Sequence, residues 1–215
     1  MAHAHALSRH RLLPPHIRVV HSSPRQTGKQ TQPAVPNAII GILVFLAAEA
    51  MLFAGLISAF LVLRANSAGW PPPDQPRLPV EVTAVNTLIL LLSAYTMHRA
   101  VQAIRTDRIR QLIWWLLRTG LLGMLFLTVQ GAEWIRLVGY GLRINSSAYG
   151  ATFYTVIGCH GLHAFGGLVV LLAVLWKALH GRYSARDHVA VEVCRLYWSF
   201  VVGIWPVLYV LVYLM

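Results

Sequence analysis

At 215 residues, 57% apolar and only 12% charged, the chain carries about half the charge of an ordinary soluble domain, and its mean hydropathy is positive. That balance excludes a typical water-soluble globular protein and leaves almost no mass outside a membrane. The formal charge of +11 would suit a nucleic-acid binder, but no folded domain remains to present a groove-reading surface, so nucleic acid is excluded as a partner.

Residues 1–36 form a polar, proline-dotted tail that holds five of the ten histidines. The tail lacks the 7–15-residue apolar core of a secretory signal. It reads as a disordered basic cytoplasmic arm whose arginines can lean on anionic headgroups. The domain proper is 37–215, where five segments meet the roughly 20 apolar residues that a membrane span needs.

The first span, Ala38–Leu63, carries Glu49 about 12 residues in, hence ~18 Å deep at 1.5 Å per residue and close to the bilayer midplane. Ala50, Ala54 and Ser58 recur every four residues on it, a small-residue stripe that lets helices approach closely. The loop "NSAGWPPPDQPRLP" cannot be helical, because its prolines remove donors and hold the backbone extended. The second span is Val82–Val101. The third, Leu112–Val138, places Arg118 one to two turns in, where it can pair with a carboxylate or hold a lipid phosphate, and Gln130 and Glu133 near its far end. The fourth, Tyr149–Leu179, contains "CHGLHAFGG", with His160 and His163 on one side of the helix and Gly158, Gly161, Ala164 and Gly167 recurring every three residues. The fifth, Val189–Met215, opens with Glu192, Arg195 and Ser199 on one face, an ion pair with snorkelling. Its Trp205–Pro206 step is expected to kink it. Cys159 and Cys194 lie on different spans without a CxxC spacing and read as small buried residues.

The basic residues are sorted by side. Arg9, Arg11, Arg18, Arg25, Lys29, Arg99, Arg105, Arg108, Arg110, Lys177, Arg182 and Arg186 share one side, against Arg64, Arg77, Arg136 and Arg143 on the other. The positive-inside rule puts the N-terminus in the cytoplasm and the C-terminus outside.

Ionisable groups inside hydrocarbon are costly and become candidates by default. Glu49, His160 and His163 lie at similar depth from opposite sides, so they can share a layer. Three readings stay open for them: a two-histidine, one-carboxylate metal site, a proton relay, or a hydrogen-bonded cluster joining the first and fourth helices. Haem is disfavoured, because two histidines three apart on one helix cannot flank an iron.

The stretches "LAAEAMLFAGLISAF", "LPVEVTAVNTLILLLSAYTMH", "LGMLFLTVQGAEW", "YGATFYTVIGCHGLHAFGG" and "VEVCRLYWSFVVGIWPVLYVLVY" follow one another as they do in subunit III of haem-copper oxidases, and the chain resembles the five-helix bacterial form of that family. The resemblance spans about residues 37–215 and singles out Glu49, Asn86, His98, Gln130, Glu133, His160, His163 and Glu192 as matching polar positions. It implies an all-α bundle of five transmembrane helices that holds no haem or copper itself, those belonging to partner subunits. It also implies a non-catalytic role in oxygen reduction coupled to proton translocation, in which the chain packs on subunit I, meets subunit II, binds phospholipid and supports proton uptake and durable turnover. The setting it implies is the bacterial cytoplasmic membrane, with membership of a larger respiratory supercomplex open. The buried polar residues, with Arg118, Arg195 and Ser199, then become lipid or subunit contacts. One departure stands out: where the family usually continues His-Phe-Val-Asp after Tyr197–Trp198, this chain has Ser199, Phe200, Val201 and Val202. Two alternatives are a companion subunit of a nitric-oxide reductase and an independent small transporter built around Glu49.

Overall fold

The computed structural model describes residues 36–72 and 78–215; the N-terminal arm expected over 1–36 thus falls almost wholly outside the described residues. Every regular element among the described residues is helical: α1 (Asn37–Ala65), α2 (Val80–Arg105), α3 (Ile109–Gly139), α4 (Ala148–Leu179) and α5 (Val189–Tyr209). All five are long and apolar enough to cross a membrane, α5 when taken on to Leu214. The chain is therefore a multi-pass membrane bundle, as its hydropathy predicts. In hydrocarbon every backbone donor must be satisfied within the segment, and only a helix does that for a lone span.

The helix ends show how the chain turns. After α2, Asp107 takes a left-handed conformation (φ 57°), and the amide of Arg108 returns to the carbonyl of Ala103. After α3 and α4 the same wrap recurs around Gly141 (φ 93°) and Gly181 (φ 67°), where Leu142 and Arg182 return to Leu137 and Lys177. This satisfies the last carbonyls of each helix and reverses the chain within a few residues. Ser147 caps α4, its hydroxyl accepting from the amide of Gly150 at 3.1 Å.

Short reversals make sequential helices antiparallel neighbours. α2, α3, α4 and α5 pack each on the next, and α5 closes back onto α2, giving a four-helix ring. α1 lies outside it, packed mainly against α4 and α5, and buries just Phe53 and Phe60. The core is bounded by Leu90, Met97, Leu112, Leu116, Phe126, Phe153, Trp198 and Trp205, all almost wholly enclosed.

Two expectations need correction. The stripe Ala50, Ala54 and Ser58 on α1 faces outward and makes no close approach within this chain. Gly161 and Gly167 of the α4 stripe do not admit a neighbouring backbone either; they seat aromatic rings. A methyl group at Gly161 would stand 3.1 Å from the Trp134 ring, and one at Gly167 3.0 Å from Tyr197 and 3.1 Å from Trp198. At Pro206 the helix continues, and the chain widens into a π-turn over Val210–Leu214. That wider turn takes up the irregularity one turn after a residue that lacks an amide proton.

Candidate functional site

The mid-membrane layer is built from α1 and α4. Glu49 Oε2 lies 2.7 Å from His163 Nε2, and His163 Nδ1 lies 2.7 Å from the carbonyl oxygen of Cys159, one turn back. A carbonyl only accepts, so Nδ1 carries a proton, and the Nε2–Glu49 contact holds one more, shared by the pair. Both ring nitrogens are thereby engaged, and Phe53 stacks edge-on to the ring at 5.2 Å. The hydroxyl of Tyr197 donates to the His163 carbonyl at 3.3 Å, adding α5 to the junction.

His160 does not join this bond. It is almost completely enclosed among Trp205 (ring centroids 4.8 Å), Phe126 (6.3 Å) and Phe53 (6.4 Å), and neither ring nitrogen has a partner among the described residues. Its neighbours are aromatic faces and edges rather than lone pairs. The two histidines point to different company despite their shared helix side. Among the described residues no three His, Cys, Asp or Glu side chains gather as a ligand set. The donors also fit a haem or copper poorly, since one imidazole is fully hydrogen-bonded and the other is walled in by carbon.

A second polar assembly runs through the ring. Trp198 Nε1 donates to Ser93 Oγ at 3.0 Å and Trp205 Nε1 to Thr87 Oγ1 at 2.8 Å, so two α5 tryptophans one heptad apart are latched to α2. Thr96 and Thr119 join α2 to α3 at 2.8 Å. Asn86 Nδ2 donates to the Phe126 carbonyl at 3.1 Å, and Gln130 Nε2 to the Tyr213 hydroxyl at 3.1 Å. Trp198 has a further role: a methyl at Gly123 would meet its ring at 2.7 Å, so the indole lies in a slot between Gly123 of α3 and Gly167 of α4. One side chain thus touches all four ring helices.

The remaining candidates sit near the helix ends. Glu133 is buried and takes Arg136 at 2.7 Å. Glu192 accepts from Arg195 at 3.1 Å and also from Arg105 of α2 at 2.7 Å, with His188 at 3.9 Å. His98 is exposed and accepts from Gln102 at 3.0 Å. Ser199 is exposed on the outside of α5, whereas Val202 is enclosed in the core. Arg118 meets no carboxylate among the described residues and lies over the Trp115 ring at 4.7 Å. Reading the sequence missed Thr87, Ser93, Tyr213, Arg105 and Trp115 as partners. A signal was present for some of them: Thr83, Asn86, Thr87, Ser93 and Thr96 repeat at three to four along an otherwise apolar span, a polar stripe aimed at a neighbour.

Five membrane-length helices with an internal polar belt and no gathered ligand set among the described residues define the class: a multi-pass membrane protein whose buried polar groups mostly join helix to helix. The particular family follows from comparison. Cytochrome c oxidase subunit III matches over residues 16–215, and the chain belongs to that family. Cytochrome c oxidase subunit 3 of Thermostichus vulcanus is 38% identical over 178 residues, covering 82% of this chain and 87% of that one. The subunit of Synechocystis sp. is 37% identical over 82% of this chain and 75% of its own length. A probable cytochrome c oxidase subunit 3 of Mycobacterium leprae is 34% identical over 83% and 88%. The chain is accordingly a subunit of a haem-copper oxidase, a component of an enzyme complex that associates with other oxidase subunits.

Proposed function

We propose that this chain is a non-catalytic core subunit of a bacterial haem-copper oxidase, seated on subunit I in the cytoplasmic membrane. There it holds phospholipid and sustains proton uptake and durable turnover, while haem and copper reside in the partner subunits. The observation that carries this reading is the use to which the polar groups are put. Glu49–His163, Trp198–Ser93, Trp205–Thr87 and Gln130–Tyr213 each tie one helix to another. Catalytic groups need an open side facing substrate, and these are spent on each other. Within the assembly, Glu49 and His163 hold α1 against the ring at mid-depth, and the exposed apolar face of α1 is left for lipid or a neighbouring subunit.

The test is purification through a tag on this chain in mild detergent. Co-purification with the subunits that carry haem and copper, together with a haem spectrum in the complex and none in the separated chain, is expected. Stoichiometric iron, copper or zinc in the separated chain would overturn the non-catalytic reading.

A further inference from the structure

Four arginines at the α2–α3 end of the bundle stand out by what they lack. Arg105 is paired with Glu192, and Asp107 accepts the amide of Ala185. Arg99, Arg108, Arg110 and Arg118 have no carboxylate within ion-pair distance among the described residues. Two of them converge: the guanidinium of Arg99 lies 5.0 Å from the centre of the Trp115 ring and that of Arg118 lies 4.7 Å from the same centre. Two cations drawn to one indole repel each other, and an anion between them relieves that repulsion. Tyr95 fixes Arg99 further, its hydroxyl accepting at 2.9 Å.

The surroundings specify what kind of anion. Arg99, Gln111, Trp114, Trp115 and Arg118 line an open cavity of about 370 Å³. Next to it, sharing Trp115 and Arg118, runs a groove of about 430 Å³ walled by Leu92, Tyr95, Leu121 and Leu122. A largely apolar bowl that carries two guanidinium groups therefore opens onto an apolar channel walled by residues deeper in α2 and α3. Depth agrees with this. Arg99 lies about 9 Å from the end of α2 and Arg118 about 14 Å into α3, at 1.5 Å per residue. A helix of 31 residues overhangs a ~30 Å hydrocarbon core, so both guanidiniums can reach headgroup level by snorkelling. Trp114, exposed beside them, sits where aromatic belts form.

We infer that the α2–α3 end binds one anionic phospholipid, its phosphate held between Arg99 and Arg118 with Gln111 donating to it, and an acyl chain lying against Tyr95, Leu92 and Leu121. Arginine suits this role because its planar fork meets phosphate oxygens in pairs. The site deepens the lipid-holding reading given above and rests on it. It lies on the α2–α3 face, away from the groove where α1 meets α4 and α5.

The experiment uses the intact complex purified through this chain, counting tightly bound lipids by native mass spectrometry after detergent exchange. The unaltered complex is expected to keep at least one phosphatidylglycerol or other anionic lipid on this subunit; keeping none overturns the site. The pair Arg99→Gln and Arg118→Gln should remove one anionic lipid, and should lower the preference for phosphatidylglycerol over phosphatidylcholine about tenfold on re-addition, while Arg143→Gln at the opposite end changes neither. An unchanged lipid count in the double variant refutes the proposal. So does loss of a protein subunit with the lipid retained, which would make the occupant a partner's carboxylate. A photo-crosslinking residue in place of Leu121, with both arginines intact, should capture phospholipid; capture of a protein subunit instead counts against it. Absence of haem-bearing partners in the purification would bear on the proposed function alone.

Discussion

At the scale of single residues, two side chains concentrate the structure's commitments, and they differ in kind. The Glu49–His163 bond spans α1 and α4 at mid-depth and closes a small circuit in which every ring nitrogen is used. Interhelical hydrogen bonds in membranes average roughly 0.6 kcal/mol and rarely exceed 2, so Glu49→Gln, whose amide NH2 can donate to the unprotonated Nε2, should cost little stability. Glutamine cannot pass a proton on, so an obligatory proton carrier at this position would lose its turnover. The complex carrying Glu49→Gln is expected to keep most of its initial oxygen-consumption rate, with the defect appearing as faster inactivation during sustained turnover. Near-complete loss of the initial rate with all subunits and haems retained would make Glu49 catalytic. Trp198 is committed through packing instead. A methyl at Gly123 collides with its six-membered ring at 2.7 Å and 2.9 Å, and overpacking of this kind costs about 1–3 kcal/mol. Gly123→Ala should therefore lower the temperature at which this subunit leaves the complex. The same substitution should cost much less in a Trp198→Phe background, because a single ring does not reach as far as the indole. A coupling near zero between the two changes would mean that the slot does not depend on the indole.

At the scale of helices, the order of attachment is uneven. The ring α2–α5 is sewn by tryptophan–hydroxyl latches and by rings seated on glycine, whereas α1 contributes two buried side chains, Phe53 and Phe60, the Glu49 bond and a few half-buried contacts. Segments with few buried contacts open locally at lower free energy than the body they rest on. In detergent, amide hydrogen exchange of the separated chain should therefore be faster along α1 than along α2 to α5, and Glu49→Gln should speed α1 further while leaving α3 unchanged. Equal protection across all five helices would contradict this hierarchy. The spans themselves were readable in advance to within a few residues, since burial in lipid is written one residue at a time as hydropathy. Partnering was not, because it depends on shape across helices. Ala50, Ala54 and Ser58 resemble a packing stripe but face outward, and the glycines of α4 resemble a backbone contact but accept Trp134, Tyr197 and Trp198. Matched depth along α1 and α4 pairs Glu49 with His163, and the two side chains meet at 2.7 Å; depth alone does not resolve direction around the helix. It could not separate His160 from them, since three residues of helix turn were enough to aim that ring into Phe126 and Trp205.

At the scale of the whole molecule, the two ends of the bundle are electrostatically unlike, and that difference predicts an orientation. One end gathers Arg99, Arg105, Arg108, Arg110, Lys177, Arg182 and Arg186, with Asp107, Asp187 and Glu192 close by, while Arg64, Arg136 and Arg143 stand at the other. Translocating a loop rich in arginine and lysine is disfavoured, so we propose that the α2–α3 and α4–α5 loops face the cytoplasm. On this proposal α5, which follows the α4–α5 loop, carries the C-terminus outside. The proposed phosphate contact at Arg99 and Arg118 falls on the same side, where anionic lipid makes the surface potential negative and each basic residue near it gains about 1 kcal/mol. A reporter active only in the cytoplasm, fused after Met215, should therefore be silent, and the same reporter inserted at Arg182 should be bright. A bright C-terminal fusion with a silent one at Arg182 would invert the molecule. It would place the unpaired arginines in the outer leaflet and leave the polybasic end without the inner-leaflet field that this topology gives it.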